Sequence, residues 1–318
     1  MSLDHPVLSS LLPVVLLILI GFVAGKAKLV RPDSVRDLSN LVFLVLTQAL
    51  LFRTMSTVHL ERLDMQPVLQ YFVVAGLLFF TMLAFYGRDT RASVLALASI
   101  FSNTMMIGVP LIGLAYGQTA LVLLFTLISL HALVLLSVAT VVLELQMAQE
   151  QAAQSGQKRK LIHTLGQAVK SAVLHPVPLP ILVGLVYAQT GWGLHPMVDK
   201  PLQLLGEAFG PMALVLVGIT LSLTPVGQQM GLALRLAFVK TVVHPLLMGF
   251  VGWFLGMRGL PLAVMTVVAA LPIGANVFLF SQRYQKEEDA VTAGVAVSTL
   301  MAMLSVPVIM AVLPLLPA

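Results

Sequence analysis

Nearly every stretch of about twenty residues in this chain is apolar, and the charged residues fall in the short gaps between such stretches. That pattern leaves few folds open. A helix crossing the bilayer's hydrocarbon core needs about 20 mostly apolar residues. Within lipid, every backbone N–H and C=O must be paired inside the protein. Of 318 residues only 10% are charged, against about 25% in soluble domains, so little is left over for a soluble domain. The segmentation predicts ten spans near 7–26, 38–57, 67–87, 92–115, 119–145, 169–189, 201–222, 232–256, 261–284 and 289–316. The fold class is therefore an all-α polytopic membrane protein.

Two of these spans are interrupted at matching places. The fourth carries Ser102-Asn103-Thr104-Met105-Met106-Ile107-Gly108-Val109-Pro110, and the ninth carries Leu271-Pro272-Ile273-Gly274-Ala275-Asn276. Each holds an Asn within a turn or two of its Pro. A broken helix survives in a membrane only where protein or a wet cavity surrounds it. A corresponding pair of breaks, one per half, is the sequence pattern of a transporter's binding site. Gly108, Pro110, Pro272 and Gly274 are read as the residues that break the helices.

Lys and Arg placement gives the orientation. Lys26, Lys28, Arg31, Arg36, Arg88, Arg91, Lys158, Arg159, Lys160, Lys170, Arg283 and Lys286 follow odd-numbered spans, whereas the other face has only Arg53, Arg62, Lys200 and Arg258. Both termini are expected outside. The first apolar run, Val7 to Val23, has its basic residues after it, the reverse of a secretory signal, and reads as a retained first helix. Residues 1–145 form five spans, 146–167 a polar cytoplasmic linker, and 168–318 five more spans of inverted topology.

Several classes are excluded. There is no Cys, hence no disulfide framework or thiolate metal site. A formal charge of +5 is accounted for by the cytoplasmic loops, so nucleic acid is not an expected partner. No P-loop, HExxH, nucleophile elbow or Gly-rich dinucleotide motif occurs, and an enzyme is not expected. No metal site is expected.

The stretch Phe101 to Leu111 with Tyr116-Gly117 resembles the fourth-helix motif of the auxin efflux carrier family. Leu271-Pro272, Ala275-Asn276-Val277-Phe278, Gln282-Arg283-Tyr284, Ser298-Thr299-Leu300 and Pro307 resemble its ninth and tenth helices. Gly21-Phe22, Gly25-Lys26, Leu38-Ser39 and Leu50-Leu51-Phe52 fit as well. Gln48 departs from it, standing where the family usually has Pro. The resemblance implies a bacterial inner-membrane permease for small carboxylates, ten helices with the fourth and ninth crossing, and a homodimer. It also implies a scaffold of helices 1, 2, 6 and 7 and an elevator-like transport domain of helices 3–5 and 8–10.

The ends of the broken helices define the expected chemistry. A half-helix N-terminus offers free N–H groups and roughly half a positive charge, a natural anion site. Asn103 and Asn276 would bind the substrate carboxylate, Ser102, Thr104 and Gln48 would line the pocket, and Lys240 would add positive potential. Single polar residues beside a membrane proline more often satisfy freed carbonyls, but a matched pair favours substrate contact. His131 and His244 are expected to be hydrogen-bonded between helices. No Asp or Glu lies near the middle of a span, which favours an anionic substrate. No cofactor is expected. Coupling to H+ or Na+ remains open, and the alternatives are a sodium-coupled carrier of the bile-acid-transporter fold or a non-transporting membrane sensor.

Overall fold

The structure is a computed structural model that describes residues 6–58, 64–155, 178–224 and 229–315. Every regular element among them is helical. In chain order these are α1 (Pro6–Lys26), α2 (Ser34–Leu41), α3 (Thr47–Met55), α4 (Gln66–Tyr86), α5 (Thr90–Ile100), α6 (Val109–Ser155) and α7 (Pro178–Gln189). Then follow α8 (Pro196–Leu223), α9 (Met230–Phe238), α10 (His244–Phe254), α11 (Gly259–Ala270), α12 (Ala275–Tyr284) and α13 (Glu288–Val312). Six helical stretches are long and apolar enough to cross a membrane: Ser34–Met55, Gln66–Tyr86, Thr104–Met147, which is kinked at Gly117 (φ 74°), Pro196–Leu223, Met230–Phe254 and Glu288–Val312. The protein is thus an integral membrane protein. The expected fourth and ninth spans are each split into two pieces. Arg62, Lys158, Arg159, Lys160, Lys170 and Pro176 lie outside the described residues.

The first ten residues of the stretch expected as a linker are helical. Residues 146–155 continue α6. Tertiary bonds hold this extension to the start of α5: Ser93 donates to Gln146 Oε1, and the Thr90 N–H donates to Glu150 Oε1 at 3.2 Å. Polar composition alone did not distinguish a docked helix end from a loop.

Three short π turns interrupt otherwise α-helical spans at Val42–Leu46, Thr104–Gly108 and Val239–Val243. Proline explains two of them. Pro110 and Pro245 each sit two residues beyond such a turn. A proline cannot donate to the preceding turn and its ring displaces the carbonyl four residues back. Widening the turn by one residue absorbs both defects. The third π turn is followed at the same offset by Gln48. Its amide donates to Phe43 O at 3.0 Å, five residues back, and the Thr47 hydroxyl donates to Val42 O at 2.9 Å. Side-chain hydrogen bonds therefore hold the distortion where proline is lacking.

Helix packing places α1 along α8, and α3 against α7 and α8. A second set packs α4 on α5, α10 on α11, and α9 on α13, with α11 reaching α6 and α13. The α1–α8 crossing is exceptionally close. A Cβ built at Gly21 would collide with the Val215 backbone, and one at Gly218 with the backbone of Ile18 and Phe22. Small residues allow such approach in membranes, where dispersion rather than water exclusion holds helices together. We expect Gly21→Ala and Gly218→Ala each to lower the melting temperature in detergent, since backbone overpacking typically costs about 1–3 kcal/mol. Gly76→Ala, with open space around it, should leave the melting temperature unchanged or raise it. We further expect Gln48→Pro to insert and melt close to the unsubstituted protein. Leu44→Pro, inside the π turn, should cost about 3 kcal/mol or more in the same assay.

Candidate functional site

The two broken spans meet at their breaks. Ser102 and Ile273 form an isolated antiparallel bridge. The Asn103 N–H donates to Pro272 O at 2.9 Å, and the Gly274 N–H donates to Phe101 O at 2.9 Å. Each break thus satisfies part of the other's backbone, which an unpaired buried group would make costly. The approach is tight in both directions. A Cβ at Gly274 would lie 2.8 Å from the Phe101 ring, and one at Gly108 would lie 2.8 Å from the Leu271 side chain.

The position of the first break differs from the expectation. The chain leaves the helix at Phe101–Asn103, upstream of Gly108 and Pro110, which fall at the end of the π turn and the start of α6. Pro110 lies inside the helical stretch that starts at Thr104, where the π turn accommodates its missing N–H. In the second half the break does lie at Pro272 and Gly274, since α11 ends at Ala270 and α12 starts at Ala275.

Further side chains satisfy what the two breaks leave over. Ile273 N–H donates to Ser298 Oγ at 3.0 Å, and Ser298 in turn donates to Val295 O at 3.1 Å. Met106 N–H donates to Asn103 Oδ1 at 3.2 Å, capping the π turn. Lys240 is 0% exposed. Its Nζ donates to Ala269 O at 2.5 Å and to Leu271 O at 2.7 Å.

Between the breaks lies a cavity of about 70 Å³ lined by Ser102, Asn103, Thr104, Gly274 and Asn276. Its wall is completed by Phe43, Phe101, Met105, Met106, Ile128, His131, Ala132 and Ala275. Helix α12 starts at this wall, so the N–H groups of Ala275 and Asn276 belong to the first turn, which has no intrahelical acceptors. Four of the six expected substrate-binding residues are therefore brought together: Asn103, Asn276, Ser102 and Thr104. Gln48 and Lys240 are not in the lining. Gln48 is turned to its own helix, with Phe43 taking the wall position, and Lys240 is turned to the carbonyls of α11.

His131 lies in the wall and was read from sequence only as a helix-to-helix hydrogen-bonding residue. That expectation is corrected for His244, and for His131 at Nε2. His131 Nε2 and both ring nitrogens of His244 are buried without a hydrogen-bond partner. Both rings flank Tyr71, at centroid distances of 6.0 and 5.7 Å, and the Phe101 ring meets His131 edge-on at 4.5 Å. Tyr71 Oη lies 3.1 Å from Ser102 Oγ, connecting this aromatic group to the cavity wall. Sequence reasoning also missed Ser298 as a support of the break. Its only signal was membership in the Ser298-Thr299-Leu300 motif. No group of acidic, His or Cys residues suited to a metal ion occurs among the described residues.

A cavity edged by amides and hydroxyls, between two broken helices inside an apolar helical bundle, is the arrangement of a membrane transporter. Residues 6–310 match the family described as Membrane transport protein, and the chain belongs to this family, that of the auxin efflux carriers. Its members are transporters, not enzymes. The chain is 27% identical over 305 residues to the "Putative malonate transporter" of Rhizobium meliloti (strain 1021), covering 93% of this chain and 92% of that protein. It is 22% identical over 350 residues to "Auxin efflux carrier component 8" of Arabidopsis thaliana, covering 94% and 95%. It is 23% identical over 303 residues to the "Uncharacterized transporter YfdV" of Escherichia coli (strain K12), covering 92% and 93%.

The dependence of the second break on Ser298 is testable. Ser298→Ala leaves the buried Ile273 N–H without its acceptor, a loss of about 1–3 kcal/mol. A lower melting temperature is expected, whereas Ser305→Ala, which removes a hydroxyl with no partner, should change it little.

Proposed function

We propose that this membrane transporter carries small organic anions, mono- or dicarboxylates of the size of malonate or malate, at the cavity between the two breaks. The observation that carries this reading is the composition of the cavity wall. Uncharged hydrogen-bond donors, the Asn103 and Asn276 amides and the Ser102 and Thr104 hydroxyls, lie beside the free N–H groups of α12. A helix N-terminus attracts anions. Amides bind a carboxylate without requiring a second full charge to be buried. The cavity of about 70 Å³ holds on the order of five water-sized probes, which suits an acid of a few carbons. The similarity to a protein named as a malonate transporter supports the same substrate class.

In this reading α5 with the start of α6, and α11 with α12, are the fourth and ninth of ten spans arranged as two inverted five-helix repeats. The grouping of α1, α2, α3, α7 and α8 on one side supports a scaffold. The remaining helices would move against it as the transport domain, exposing the cavity alternately on each face. The reading places the chain in a bacterial inner membrane with both termini outside, as a homodimer joined through the scaffold. Lys240 acts on the site through the carbonyls of α11 rather than by touching substrate, and Gln48 acts by shaping the helix that carries Phe43.

Uptake of labelled malonate and malate into proteoliposomes tests the reading. Saturable flux is expected, falling at least tenfold in Asn103→Ala and Asn276→Ala proteins that insert and melt normally. Wild-type rates in both variants would sink the site assignment. Absence of flux for either acid in folded protein would sink the substrate class.

A further inference from the structure

All but one of the residues that line the cavity belong to the two breaks, the helical turns that follow them, or α6. The exception is Phe43. It sits in the π turn Val42–Leu46, inside the helical stretch Ser34–Met55. The α3 part of that stretch packs against α7 and α8, so the ring enters the wall from a separately anchored helix.

The hydrogen-bonding groups of the wall are concentrated at the breaks, where Ser102, Asn103, Thr104 and Asn276 stand with the free N–H groups of α12. A carboxylate bound there leaves the rest of the acid to meet the apolar part of the wall. Phe101 is committed to the break, since its carbonyl takes the Gly274 N–H and its ring meets His131 edge-on. Met105 and Met106 are flexible, and methionine adapts to what it touches. Phe43 is different in kind. An aromatic ring has only two side-chain torsions and is a rigid contact. Its place in the chain is held on both sides, because Val42 and Leu46 are buried and the Gln48 amide donates to the Phe43 carbonyl at 3.0 Å. The ring is also large for the space it closes. It is the size of benzene, a molecule that an engineered cavity of about 150 Å³ accepts, whereas the cavity here measures about 70 Å³.

We propose that Phe43 is the specificity-determining residue of this cavity: its ring limits the length of the substrate, admitting acids of the length of malonate and malate and rejecting longer homologues. The proposal rests on the reading of the cavity as the carboxylate site. It deepens that reading by separating two tasks. The amides and the α12 N-terminus bind the carboxylate, and a ring from a differently packed helix measures what is attached to it.

The series malonate, succinate, glutarate and adipate tests this, since it keeps both carboxylates and adds one methylene at a time. Melting temperature against the concentration of each acid reads binding without transport, and competition with labelled malonate uptake into proteoliposomes reads it in the membrane. One methylene in a fitted pocket is worth roughly tenfold or more. The half-saturating concentration for wild-type protein should therefore rise at least tenfold from malonate to glutarate. In Phe43→Ala, glutarate should come within threefold of malonate or overtake it. Leu44→Ala, on the same turn but exposed, should keep the wild-type order. If Phe43→Ala cannot be purified folded, Phe43→Leu removes the ring and keeps an apolar side chain. It should lower the glutarate-to-malonate ratio at least threefold.

A folded Phe43→Ala or Phe43→Leu protein with the wild-type order of acids overturns the proposal. So does wild-type protein that binds adipate as well as malonate. In both cases the carboxylate site itself stands. Absence of any melting shift or competition with all four acids in folded wild-type protein would instead sink the carboxylate reading, and the length limit with it.

Discussion

The reciprocal backbone pairing between Phe101–Asn103 and Pro272–Gly274 is the constraint around which the rest of the molecule is arranged. Two broken helices in an apolar bundle each expose N–H and C=O groups that neither lipid nor packed side chains can satisfy. Pairing the breaks with each other satisfies four of these groups with two hydrogen bonds. It also fixes the distance between the breaks so tightly that a side chain at Gly274 would press on the Phe101 ring and the Ser102 backbone. Groups the pairing does not reach are met by side chains from helices packed alongside: Ser298 from α13 takes an N–H, and Lys240 takes two carbonyls. The cavity is what remains between the paired breaks once these obligations are met.

This arrangement separates supporting from binding groups. Asn103 does both, its side-chain oxygen capping the π turn while the residue lines the cavity. The two readings weighed for this residue, backbone support and substrate contact, are thus compatible, because an amide has donors and an acceptor to divide. Asn276, in the first turn of α12, stands beside free N–H groups. The difference between the two asparagines follows from where each lies relative to its break: Asn103 precedes its helical turn and caps it, whereas Asn276 is already inside its helix.

The helix distortions have a common logic. The π turns at Thr104–Gly108 and Val239–Val243 accommodate a proline two residues on, and the one at Val42–Leu46 keeps the same shape through the hydrogen bonds of Thr47 and Gln48. At residue 48, where no proline stands, the side-chain hydrogen bonds of Thr47 and Gln48 accompany the kink. Phe43, inside its π turn, lines the cavity and Gln48 does not. Lys240, inside Val239–Val243, reaches the carbonyls at the end of α11.

Apolar run lengths, the Pro and Asn positions and the loop charges determined by themselves that this is a helical membrane protein with two interrupted spans. They also marked Ser102, Asn103, Thr104 and Asn276 as neighbours of the breaks. These features are local: a twenty-residue apolar run and a proline act on the segment that contains them. The tertiary structure alone decided that the first break opens at Phe101, nine residues before Pro110, because its location is set by pairing with Pro272 and Gly274, which are far away in sequence. It likewise decided that Lys240 caps carbonyls and does not enter the cavity, that His131 stands in the wall, and that residues 146–155 remain helical against α5. In each case the deciding partner lies dozens of residues away or more, and a buried polar group takes whichever partner the packing brings within hydrogen-bond reach.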